Sequence, residues 1–186
     1  MALILASASP RRQELLRNAG VEFTIQAANI AENLIGDESP RGCAERLASE
    51  KARAVFDSRP ADVVLGADTI VVVDGEILGK PRDEKDAERM LQMLSGRKHE
   101  VITGVCVVGA HFQEISSEST IVSMSDLSED DIRQYVASGE PMDKAGAYAI
   151  QGMASRWIRR IEGDYFNVVG LPVSLVYRML REHGVI

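Results

Sequence analysis

Cysteine is scarce in this chain of 186 residues: there are two, Cys43 and Cys106, far apart and without metal-type spacing. That excludes a disulfide framework and a cysteine-rich zinc site. Cys43 falls on an apolar helix face and Cys106 inside a strand, the pattern of buried thiols in a reducing compartment. A basic excess is also lacking. The net charge of −7 disfavours non-specific binding to nucleic-acid polymers or to an anionic membrane surface. A small anionic substrate would then need a local cationic pocket set into an acidic surface.

No apolar run is long enough to span a bilayer. Ala6-Ser7-Ala8 mimics a cleavage site, but the apolar run before it is too short and has no positive flank, so no signal is read and the chain is placed in the cytoplasm. The histidines, His99, His111 and His183, fall at a strand start, a loop and a helix end, and form no cluster. There is no Ser-His-Asp logic, no Walker loop and no G-x-G-x-x-G. Chemistry here would have to run on carboxylates with a bound cation, while Arg and Lys neutralise the substrate. Internal repeats, low-complexity tracts and linkers are missing too. With 45% hydrophobic and 26% charged residues, the expectation is one ordinary globular domain over 1–186.

What is present begins with MALILASASPRRQELL. Leu3, Ile4 and Leu5 read as a short buried strand, and Ser9-Pro10 as an N-cap and first helical position. Small residues lie between them and Arg11 and Arg12 just after. A strand, a small-residue turn, a helix N-terminus and cations attract phosphate, although an ordinary turn with a solvated arginine pair fits the same letters. VEFTIQ (21–26) alternates like a strand, and 28–38 reads as a loop. Ser39-Pro40 starts a helix with Cys43, Ala44, Leu47, Ala48, Ala52, Val55 and Phe56 on one face. In VVLGADTIVVVDGEILGKP (63–81), two apolar strands are expected, kinked or bulged at Gly66–Thr69, and then a tight hairpin at Asp74-Gly75. Asp83 caps a helix closed by Gly96. Strands follow at 100–110 and 119–124, a capping box at Ser128 and Asp131, a loop at 139–153, a strand at 155–163 and a final helix from Pro172. Helices and strands mixed with a hairpin give an α/β (α+β) class with a mixed sheet covered by helices.

Asp68 stands between two apolar strands, where a carboxylate is costly unless paired, hydrated or metal-bound; a strand-end Asp capping a turn is the plainer alternative. Lys51 lies near the edge of the helical stripe, its head in water or in a pocket. Lys80, locked by Pro81, reads as a surface lysine when taken alone, and Glu32, in an irregular loop, says little. As oxygen-only ligands, Glu32 and Asp68 would suit Mg²⁺ or Mn²⁺ held partly through substrate phosphates.

SASPRRQELL, an acidic loop residue, E-K-A-R, GADT, GKP and DKAGAYAIQG occur in the order seen in the Maf family of nucleoside triphosphate pyrophosphatases, which the chain resembles from Leu3 to the GLP at 170–172. The resemblance implies an elongated mixed sheet flanked by helices, similar to the inosine triphosphate pyrophosphatase fold. It also implies hydrolysis between the α and β phosphates with a divalent cation (Mg²⁺, Mn²⁺ or Co²⁺), homodimers, and a link to septum formation. Carried over by position, Ser7 and Arg12 resemble phosphate-loop residues. Glu32 and Asp68 resemble the two essential carboxylates, catalytic and metal-holding, with Asp68 the proton acceptor. Lys51 and Lys80 resemble the substrate-facing lysines, and Arg11, Thr69 and Gln151 the trio of the subgroup selective for dTTP and UTP. The expected partner is a small nucleoside triphosphate. A nucleotide-sensing regulator of septum formation without turnover, or a phosphatase releasing orthophosphate, would share the cationic pocket.

Overall fold

The computed structural model describes residues 2–186, an α/β arrangement of seven strands with helices against the sheet. The strands are β1 (Leu3–Leu5), β2 (Thr24–Ile25), β3 (Val63–Val73), β4 (Glu76–Leu78), β5 (Lys98–Gly109), β6 (Phe112–Met124) and β7 (Ile158–Glu162). They bond in the order β2-β1-β3-β5-β6-β7, with β4 on β3. β1 runs parallel to β2 and β3, whereas β4 and β7 are antiparallel to their neighbours, so the sheet is mixed as expected. The helices are α1 (Pro10–Asn18), α2 (Pro40–Phe56), α3 (Glu84–Leu94), α4 (Glu129–Ala137), α5 (Tyr165–Val169) and α6 (Val173–Glu182). None among the described residues is long and apolar enough to cross a membrane. Two compact units divide the chain: residues 1–69, 103–118 and 170–186 form the first, and 70–102 and 119–169 the second.

In the first unit, β3 runs unbroken through Gly66–Thr69, where an interruption between two strands, a kink or a bulge, was expected. The reason is α2. A Cβ on Gly66 would lie 2.3 Å from the Ala48 carbonyl oxygen and 2.7 Å from the Ala52 nitrogen. Gly104 in β5 meets the Ala44 carbonyl in the same way, at 2.2 Å. The two glycines therefore let the helix backbone come down onto the strands. Side chains of a strand alternate, so Val64, Gly66 and Asp68 share the face toward α2. Val64 packs with Ala48, Ala52 and Val55 in the core of this unit. The helix begins as read, with the Ser39 hydroxyl accepting from Gly42 N at 3.1 Å.

Two strands differ in length from the periodicity. Only Thr24 and Ile25 of 21–26 pair with β1, which is itself three residues long. β6 starts at Phe112 rather than 119 because its polar half is partnered by α2: Gln113 donates to Ser49 at 3.0 Å and Ser117 to Glu45 at 2.5 Å. An apolar alternation cannot reveal a strand whose cover is polar.

In the second unit, the Asp74-Gly75 hairpin forms with both residues at positive φ, 50° and 82°. The capping box at Ser128 and Asp131 is also present. The segment 139–153 contains short 3₁₀ turns, the strand read at 155–163 starts only at Ile158, and α5 was not foreseen. The core gathers Leu78, Leu91, Leu94, Val101, Val122, Tyr135 and Trp157. His99 is buried there, with its Nε2 2.7 Å from the Tyr148 hydroxyl and its Nδ1 without a partner. A second ring proton would be a buried charge with no acceptor, and burial holds this imidazole down to about 4. Both cysteines are buried as expected; burial raises the Cys43 thiol and pushes Cys106 up to about 11, so neither is a reactive thiolate.

Gly66→Ala should destabilise the fold by about 1–3 kcal/mol or more, since the new methyl meets helix backbone that can move only as a unit; chemical denaturation checks this. The His99 ring binds its proton more weakly folded than unfolded, so stability should fall as pH drops from the ordinary histidine value of 6.5 through about 4. The loss should reach up to about 3 kcal/mol. In His99→Gln the fall in melting temperature over that window should shrink.

Candidate active site

In the first unit a charged cluster forms where α2, β3 and the loop after β2 meet. Lys51 is on the apolar face of α2, beside Ala44, Leu47, Ala48 and Ala52, and is buried. Its ammonium donates to Asp68 Oδ1 and lies 2.7 Å from Glu32 Oε1. Asp68 is 5% exposed and Glu32 sits at the rim. An ammonium this deep is tolerated because two carboxylates meet it; lacking them, its desolvation would cost several kcal/mol. The stripe therefore does not put Lys51 in water, and Asp68 is not a turn cap.

Arg12 has a second set of partners. The Ser9 hydroxyl accepts from Arg12 N at 3.5 Å and caps α1, which sets the arginine on the first turn. The guanidinium Nε donates to the Gly170 carbonyl at 2.8 Å, Nη2 to Thr69 Oγ1 at 3.0 Å and Nη1 to Ser7 Oγ at 3.4 Å. Burial lowers the guanidinium from its ordinary value, Asp68 and Glu32 raise it, and the neighbouring Arg11 lowers it again. It stays a cation, as arginine does throughout the working pH range. Three of its five N–H groups are engaged. The other two, one on each terminal nitrogen, have no protein partner among the described residues. Both can donate to phosphate oxygens.

Ser7, Arg11, Arg12, Glu32, Lys51, Asp68 and Thr69 all belong to this unit. Lys80 and Gln151 belong to the second, where both are exposed. There the Gly79 carbonyl accepts from Gly146 N at 3.0 Å, which ties the Lys80 turn to the loop that leads to Gln151. Asp86, buried, accepts from Arg82 N at 3.1 Å and from Arg89 Nε at 3.0 Å, fixing the turn from its other side. Gly170 and Thr103 were not picked out from the sequence. A backbone carbonyl and a threonine inside a strand have no local signature.

Glu32 and Asp68 both turn hard oxygen donors to the Lys51 ammonium, and no group of three or more His, Cys, Asp or Glu among the described residues could hold a metal. These residues fit a divalent ion whose remaining ligands are water and substrate phosphate, as Mg²⁺ prefers, and not a closed protein cage.

The fold is shared with a HAM1 protein from Coxiella burnetii: the TM-score is 0.51 at 15% identity, over 97% of this chain and 98% of that one. Within that architecture the sequence is more specific. The profile of the family described as Maf-like protein matches residues 2–183, and the chain belongs to this family. A dTTP/UTP pyrophosphatase of Koribacter versatilis is 56% identical over 100% of this chain and 96% of its own length. One from Symbiobacterium thermophilum is 53% identical over 98% and 94%. A third, from Geobacillus sp., is 50% identical over 98% of both.

Lys51→Met removes the counter-ion of two carboxylates, one of them buried. The variant should lose about 3–5 kcal/mol of stability at neutral pH, the range for breaking a buried ion pair from one side. Unfolding in urea, followed by circular dichroism, measures it.

Proposed function

We propose that this chain is a nucleoside triphosphate pyrophosphatase that hydrolyses dTTP and UTP to the monophosphate and pyrophosphate. The observation that carries this reading is the buried Lys51 ammonium shared by Asp68 and Glu32. It is supported by Arg12, held in the same unit with two N–H groups to spare, and by the full-length relatives named for this activity.

Arg12, with Ser7 beside it, binds phosphate oxygens, and Lys51 and Lys80 add positive charge along the triphosphate. A divalent ion such as Mg²⁺, Mn²⁺ or Co²⁺, held by Glu32 and Asp68, would supply charge neutralisation at the phosphates. Asp68 accepts the proton of the water that attacks the α phosphorus. The bond from that phosphorus to the oxygen bridging to the β phosphate breaks, and pyrophosphate leaves with that oxygen. The burial of Asp68 keeps bulk water from competing for the carboxylate.

Base selection falls to Arg11, Thr69 and Gln151. Uracil and thymine present two carbonyls flanking one N3–H, and an amide such as Gln151 both donates and accepts, so it matches a carbonyl beside that N–H. Arg11 adds donors for a carbonyl. Cytosine reverses the N3 and exocyclic pattern and would not match that amide in the same way.

A nucleotide panel with Mg²⁺ or Mn²⁺ should give dTTP and UTP above CTP, GTP and ATP, with monophosphate and pyrophosphate as products. Orthophosphate release, or a purine preference, would overturn the reading. Asp68→Asn should lower turnover by about two to four orders of magnitude with the fold retained. A folded Asp68→Asn enzyme of normal activity would remove Asp68 from the chemistry, and nucleotide binding without turnover by the wild type would leave a sensor instead of an enzyme.

A further inference from the structure

Thr103 is in the middle of β5 and is completely buried. A hydroxyl at such a place is costly unless it has a task for its hydrogen bond. Its Oγ1 is 2.9 Å from Thr69 Oγ1. Thr69 Oγ1 in turn accepts from Arg12 Nη2 at 3.0 Å and lies 3.4 Å from the Gly170 carbonyl, the group to which Arg12 donates through Nε at 2.8 Å. A hydroxyl has one proton and two lone pairs. Because Thr69 accepts from the guanidinium, its proton goes to Thr103 or to Gly170, and whichever sense the Thr69–Thr103 bond takes, it stops the Thr69 rotor with a lone pair on Arg12. Gly170 holds a φ of 128°, a conformation ordinary side chains rarely adopt, and it brings the other acceptor to the same guanidinium. Arg12 is thus gripped along one edge by two acceptors whose own positions are fixed, and its opposite N–H groups are kept in one orientation.

We infer that Thr103 is a positioning residue for the reaction: through Thr69 it holds the Arg12 guanidinium toward the phosphates. The inference rests on the reading that Arg12 binds phosphate. Thr103→Val keeps the shape and removes the hydroxyl. It should raise KM for dTTP about tenfold, the effect of losing roughly one hydrogen bond to a charged group. The value of kcat should stay within about threefold, because a phosphate contact of this kind is made in ground and transition states alike. Thr103→Ser should restore the wild-type KM.

The decisive measurement is a double-mutant cycle with Arg12→Lys, which has no guanidinium to be aimed. In that background Thr103→Val should change KM by less than about twofold, because coupled residues are not additive. An equal loss in both backgrounds, a Ser variant no better than Val, or an unaltered KM in Thr103→Val would each overturn the assignment. If Thr103→Val does not fold, Thr103→Cys, of similar volume and with a poorly bonding sulfur, goes through the same cycle. Normal kinetics for Arg12→Lys would mean that the phosphate reading of Arg12 itself is wrong and this inference falls with it; a damaged Arg12→Lys beside a normal Thr103→Val overturns the inference alone.

Discussion

Everything in the first unit depends on how closely α2 lies on the strands. At Gly66 and Gly104 the helix carbonyls occupy space that any side chain would need, so helix and strand backbones meet directly. At that spacing a lysine on the inner stripe of α2 reaches a carboxylate two residues beyond Gly66 on the same face of β3. Lys51 and Asp68 are opposite charges built into the seam between a helix and a sheet. Two glycines that carry no chemistry therefore determine where the charges can be.

The resulting balance explains how an acidic protein can receive a polyanion. Glu32 and Asp68 are offset by Lys51 and Arg12, so the cluster is close to neutral before any ligand arrives. A triphosphate entering such a place, as the proposed function requires, needs further positive charge. That is the physical reason why the proposed function calls for a divalent ion with few protein ligands.

The elements that periodicity and capping describe well were legible in advance: α2 from its stripe, the hairpin from Asp74-Gly75, α1 and α4 from their caps. Asp68 was conspicuous as a carboxylate in an apolar run, yet its strand was expected to be interrupted there, because a sequence does not show that Gly66 answers to a helix backbone or that Asp68 has a lysine to meet. Lys51 shows the reverse problem. Its position on the stripe was read correctly, but a lysine near an apolar edge normally snorkels, and only its two partners, one on a strand and one on an irregular loop, overrule that preference. The polar half of β6 escaped notice because its cover is hydrogen-bonded and not hydrophobic. Thr103 and Gly170 are visible only once residues distant in sequence have been brought to Arg12.

The bond from Arg12 to the Gly170 carbonyl spans 158 positions of the chain. On a ribosome, β1 and α1 emerge long before the acceptor that holds the guanidinium has been made. The nascent chain can therefore bury apolar parts of the first unit long before the Arg12 guanidinium has the acceptor that holds it.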